Sequence, residues 1–169
     1  MTLMTTEKND NKSGTYSVSV EKKLLGNIRD ALALTRKLEV VLSKAHNLML
    51  ERNIAALETH LETQVKLLDM LHLNASLREH YLKEAGLSPD PAGIRSFLQI
   101  ICSTPKAEAT LKQWHQLEIT AGRCRSLNQA NGKLLSRLAA STNQIIDVVF
   151  SSQEPSPYNQ QGICERKLG

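Results

Sequence analysis

The chain is expected to be all-α: a long antiparallel helical hairpin, a short connecting helix and a long C-terminal helix, with flexible termini. Three observations predict this. Leu, Ala, Gln, Glu, Lys and Arg dominate the composition and aromatics are only 4%, so most residues lose little on entering a helix. Apolar residues recur at helical spacing through most of residues 18–150, rather than alternating as in a half-buried strand. The periodic segments are separated by short clusters containing Asn, Gly, Pro and Asp, which stop and start helices. A chain of 169 residues can bury one sizeable core.

Residues 1–17 are rich in Thr, Asn, Lys and Ser and are expected to be a disordered extension. The first helix begins near Val18. Ile28, Thr35, Leu42 and Met49 recur every seven residues, as do Leu24, Ala31, Leu38 and Ala45, and Leu34, Val41 and Leu48 widen the stripe. The phase breaks at Glu51-Arg52-Asn53, where Asn53 is suited to cap a second helix. Ile54, Leu57, Leu61, Leu68, Leu71, Ala75 and Leu82 form its expected seam, with Gln64 and Arg78 as polar interruptions. So short a connection makes the two helices antiparallel neighbours.

Gly86 is placed to close the second helix as its C′ residue. Asp90 can cap a short helix with Pro91 at its first position, carrying Ile94, Phe97, Leu98, Ile100 and Ile101. Thr104 is expected to cap the last helix, which runs from about Pro105 to Phe150. Its expected seam is Trp114, Leu117, Ala121, Cys124, Asn128, Asn131, Leu135, Leu138, Thr142, Ile145 and Val149. The helical domain is thus residues 18–150, followed by a polar, Pro-containing tail over 151–169 that is expected to be mobile.

Several function classes are disfavoured. The net charge of +4 comes from 21 basic residues spread among 17 acidic ones, without the concentrated basic face of a nucleic-acid binder. No run of 18 apolar residues exists and the N-terminus lacks an apolar signal core, so membrane insertion is not expected and a cytoplasmic location is. Cys102, Cys124 and Cys164 fit neither a disulfide framework nor a metal site and are read as reduced thiols. His46, His60, His72, His80 and His115 lack metal-ligand pairing and are read as solvated surface side chains. No phosphate-binding loop or nucleophile motif is present. The expectation is a protein with no catalytic residues, no metal and no cofactor.

The run Leu127-Asn128-Gln129-Ala130-Asn131-Gly132-Lys133-Leu134-Leu135 stands apart, because two asparagines and a glycine occupy the middle of a helix. The helical phase holds across Asn131-Gly132, which argues against a hairpin turn. Two readings are equally open. Asn128 and Asn131 can form a polar layer that fixes helix register. Alternatively, they belong to a groove whose amides bond a partner helix while Leu127, Leu134, Leu135 and Leu138 supply apolar contact. Gly132 tilts the balance slightly towards the groove, since a missing side chain permits close approach of another backbone. Trp114 fits core filling better than a contact anchor. Tyr158, in the tail, is either an exposed aromatic or a short linear anchor.

These residues resemble the C-terminal signature of the FlgN family of flagellar type III export chaperones. Trp114 precedes the Leu-Asn-x-x-Asn-Gly-x-Leu-Leu run at 127–135, and Pro157-Tyr158-Asn159-Gln160-Gln161-Gly162 follows in the tail. The sequence departs from the family pattern at Asn159, where a glycine is usual, and at Gln64, where a lysine is expected. The resemblance implies a non-enzymatic, FlgN-like helical bundle that binds the C-terminal helices of the hook–filament junction proteins and delivers them to the export gate. It implies substrate contacts from Trp114, Leu127, Asn128, Asn131, Gly132, Leu134, Leu135, Leu138 and Ile145, and a gate contact from Tyr158. The competing expectation is a helical adaptor or scaffold that forms a homo-oligomer through its seams.

Overall fold

The computed structural model describes residues 18–101 and 105–151. Four helices account for nearly all of them: α1 (Val18–Leu50), α2 (Ile54–Glu84), α3 (Pro91–Ile101) and α4 (Pro105–Ser151). No strand occurs among the described residues, and none of their helices is long and apolar enough to cross a membrane. The expectations for residues 1–17, Cys102, Thr104, Tyr158, Asn159 and Cys164 lie outside the described residues.

The connections follow from local chemistry. α1 ends in a Schellman motif: Asn53 N–H donates to Leu48 O at 3.0 Å and Arg52 N–H to Met49 O at 3.1 Å. Arg52 therefore takes the left-handed conformation, with φ 54°. Asn53 then caps α2, its side-chain oxygen accepting from Ala56 N–H at 3.2 Å. α2 closes by the same motif, with Gly86 at φ 70° and Leu87 N–H donating to Leu82 O at 2.8 Å. Asp90 caps α3 as expected: Oδ1 accepts from Ala92 N–H at 2.7 Å and Gly93 N–H at 2.9 Å, while Ser88 donates to Oδ2 at 2.6 Å. These bonds, led by the one from Ser88, hold the Asp90 carboxyl below its ordinary pKa. The turn folds so tightly that a Cβ at Gly93 would lie 1.8 Å from Ser88 O.

α1 is the central helix. It packs along both α2, which runs antiparallel to it, and α4, which runs parallel, whereas α2 and α4 scarcely touch. Three apolar layers succeed one another along α1. The basal layer joins Leu24, Ile28 and Leu32 to Leu82, Phe97, Leu98 and Trp114. The middle layer joins Leu38, Val41 and Leu42 to Leu67 and Cys124. The layer near the hairpin turn joins Ala45, Leu48 and Met49 to Leu57, with Leu134 and Leu138 packed against it.

The stripe expected for α1 is buried throughout, apart from half-buried Leu34. That for α2 needs correction. Ile54, Leu61 and Leu68 are exposed, and Leu67 and Asn74 are buried in the face turned to α1. Asn74 belongs to a closed polar layer: its side-chain N–H donates to Asn27 O at 3.1 Å, and that of Asn27 donates to Asn74 O at 2.8 Å. Arg78 donates to both side-chain oxygens, at 3.3 and 3.1 Å, and its guanidinium lies 5.9 Å from the centre of the Trp114 ring. Burial lowers the Arg78 pKa, with Glu79 opposing the shift. A register-fixing polar layer therefore exists at the α1–α2 contact, where two helices exchange bonds that an apolar pair could not make.

Candidate functional site

A parallel α4 that buries one residue every three or four positions against α1 should bury two heptad rows. It does: Thr110, Leu117, Cys124 and Asn131 are buried in one row and Leu138 is half-buried, while Thr120 in the second is buried and Leu127 and Leu134 are half-buried. The expected seam shared the first row but took Ala121, Asn128, Leu135 and Thr142 as the second. In the structure this row flanks the interface on the side of α2. Ala121 is half-buried, and Asn128, Leu135 and Thr142 are exposed.

Because α2 and α4 diverge across α1, this flanking row faces open space. Near the hairpin turn the gap is a cleft of about 250 Å³. Ala45 and Met49 of α1 form its floor, Leu57, Leu61 and Gln64 of α2 one wall, and Asn128, Asn131, Gly132 and Leu135 of α4 the other. Leu61 and Leu135 are 44% and 56% exposed, so apolar surface stands uncovered on both walls. A Cβ built on Gly132 would have no neighbour within 4 Å, so packing on α1 does not require a glycine there.

The two asparagines separate here. Asn131 is 8% exposed. Its N–H donates to Leu42 O at 2.9 Å and its Oδ1 accepts from His46 Nδ1 at 2.9 Å. Because the amide oxygen can only accept, His46 carries its proton on Nδ1. Across the hairpin, His60 donates from Nε2 to Val41 O at 3.0 Å. Both histidines are half-buried and bonded rather than solvated, which corrects the expectation for them. Cys124 donates from Sγ to Thr35 O at 3.5 Å, and burial raises its thiol pKa, with Glu39 adding to the shift. Asn128, one turn before Asn131, is exposed on the cleft wall.

Of the expected contact residues, Asn128, Asn131, Gly132 and Leu135 come together in the cleft. Leu127, Leu134 and Leu138 are half-buried against α1. Trp114 is 9% exposed in the basal layer, donating from Nε1 to Glu118 at 2.9 Å; it lies about 25 Å along the helix from Asn131. Ile145 stands on a stretch of α4 that continues past Leu138, reaching about 20 Å beyond the hairpin contact, and Ile145, Ile146 and Phe150 are exposed on it. The floor and the α2 wall were missed as site residues. Their signal was an apolar seam on α2 too wide for one partner helix.

Three long helices and the short α3 thus frame an apolar cleft flanked by hydrogen-bonded polar layers. The protein-family comparison adds the kind of protein. The family described as FlgN protein matches residues 20–163, and the chain belongs to that family, one of chaperones in flagellar assembly and export. Neither the comparison with curated proteins nor that with solved structures finds a match.

Proposed function

We propose that this chain is a cytoplasmic export chaperone whose α2–α4 cleft holds the C-terminal helix of a hook-associated flagellar protein. The carrying observation is the cleft itself: α1 contacts both neighbours, while α2 and α4 leave an apolar cleft between them near the hairpin turn. A partner helix laid over Ala45 and Met49 would complete a four-helix bundle, the arrangement in which an amphipathic helix buries its apolar stripe. Leu61 and Leu135 would supply apolar area, at about 1.5–3 kcal/mol for each side chain fully buried. Much of that gain is offset by the entropy of association, which suits a partner that must later be released. Asn128 would offer an unspent amide to the partner, and Gly132 would admit it closely. The overhang at Ile145 would extend the apolar contact, with Trp114 setting the base of the frame. Delivery to the cytoplasmic domain of the export-gate protein would fall to the tail, through Tyr158.

Co-purification with full-length hook-associated proteins, and with versions lacking the C-terminal helix, tests this reading. Capture of the full-length proteins alone is expected, and Leu135→Glu should abolish it without unfolding the chaperone. Failure to capture either full-length protein, or equal capture of the truncated ones, refutes it.

A further inference from the structure

The side of α4 away from the cleft has a different chemistry. There α1 and α4 form a broad, shallow groove in which Ser43, Gly122, Ser126 and Ala130 leave low ground between Ile119 and Leu127. A second depression, on the outer side of α4, is lined by Gln129, Gly132, Lys133, Ser136 and Arg137 and shares Gly132 with the cleft. Ile119 is 49% exposed. From Ile119 to Ile146, α4 carries Arg123, Arg125, Lys133 and Arg137 and no carboxylate. The neighbouring acid is Glu39 of α1, held loosely by Arg123 at 3.7 Å, with the arginine side chain 66% exposed. Arg36, also exposed, stands one turn before Glu39. The surface therefore combines small residues that permit close approach, apolar side chains and an excess of positive charge over the one acid, Glu39.

We propose that this α1–α4 face is a second docking surface, separate from the cleft, that takes an acidic amphipathic helix of a partner protein. Charge complementarity selects the occupant. From Ile119 to Arg137 the face runs for about 27 Å, or five turns of a bound helix. The apolar and small residues would receive that helix's apolar stripe, while carboxylates on its flanks would reach Arg123, Lys133 and Arg137. Nucleic acid fits less well. Arg123 and Lys133 are about 15 Å apart along the helix, too sparse to follow successive phosphates, and α4 has no aromatic between Ile119 and Ile146 on which a base could stack. The proposal does not depend on what occupies the cleft.

The test uses the full chain and two labelled amphipathic peptides of about 18 residues, with the same Leu/Ala stripe and either Glu or Lys on its flanks, read by fluorescence anisotropy. The Glu peptide should bind, weakening about fivefold between about 50 and about 300 mM salt. Arg123→Glu, Lys133→Glu and Arg137→Glu together should weaken it about tenfold. Leu135→Glu in the cleft and charge reversal of Lys66 and Lys83 on α2 should leave it unchanged. A version with Gln at the three positions, checked for an unaltered melt, keeps the test valid should the Glu version misfold. Equal binding of the Lys peptide, insensitivity to the triple change, or loss on Leu135→Glu would overturn the proposal. So would tighter binding of single-stranded DNA or anionic phosphatidylserine vesicles than of the Glu peptide at the same face.

Discussion

Gly132→Ala separates stability from binding. Gly132 is exposed in the interior of α4, and a Cβ there meets no atom within 4 Å. Alanine should therefore recover the full helix-propensity difference of about 1 kcal/mol without steric cost. In a helical domain of this size that corresponds to a rise in Tm of about 4 °C. The same methyl group would stand on the wall of the cleft, where a partner helix is proposed to approach. Overpacking at a close helix contact costs about 1–3 kcal/mol, so affinity for a hook-associated protein should fall about 5- to 150-fold. Circular dichroism melting and titration calorimetry on the same preparations provide the two readings. A higher Tm with unchanged affinity would refute the placement of the partner against Gly132. A lower Tm would refute the account of α4 as an unstrained helix at this point.

Three further outcomes test the frame. Arg52→Gly should raise stability by about 1 kcal/mol in denaturant melts, because glycine adopts the left-handed C′ conformation without the steric cost borne by a side chain. Gly93→Ala should lower stability by several kcal/mol and loosen α3, seen as faster amide exchange at Phe97 and Ile101, because its methyl group would collide with Ser88 O. The Asp90 carboxyl titrates below its ordinary value of 3.8. Its stabilising effect is therefore complete above the unfolded value and is lost as pH falls through the lower folded one. Asp90→Asn keeps an acceptor at the cap and should flatten that acid limb in pH-dependent melts.

The extent to which the fold was legible follows from how many partners each helix has. α1 is covered on two sides, so its apolar stripe is broad and any reasonable phase finds it. Beyond the basal layer α2 and α4 each pack mainly on α1, so their apolar residues serve two purposes and the sequence does not mark which. Leu61 and Leu68 have the same chemistry as Leu57 and Leu67, yet the first pair is exposed and the second buried. Periodicity placed Leu57, Leu61 and Leu68 in one seam and passed over Leu67. The polar layer at Asn27, Asn74 and Arg78 was hidden for a related reason: Asn27 lies 51 residues from Arg78 and 47 from Asn74, so Arg78 read as an interruption. Caps, by contrast, depend on residues a few positions apart, and Asn53, Gly86 and Asp90 were readable individually.

The heptad row on which the reading of α4 slipped also locates the candidate site. A helix lying on one neighbour needs two rows, and the sequence of α4 supplies three: those of Leu117, Thr120 and Ala121. The third continues through Asn128 and Leu135, and it is apolar or amide-bearing where an ordinary solvent-facing row would be charged. A stable two-helix contact gives no reason for such a row, whereas a contact awaiting a further helix does. Asn131, bonded on both sides of its amide, then accounts for the register-fixing reading, and exposed Asn128 supports the binding one. The register-fixing reading holds for Asn131, and the binding reading is the one proposed for Asn128. The distinction is measurable: Asn131→Leu should cost about 1–2 kcal/mol by leaving His46 without its acceptor, while Asn128→Leu should leave the melt unchanged and alter only partner affinity. If Asn128→Leu destabilises the free chain as much as Asn131→Leu, the third row is buried in solution and the cleft is closed.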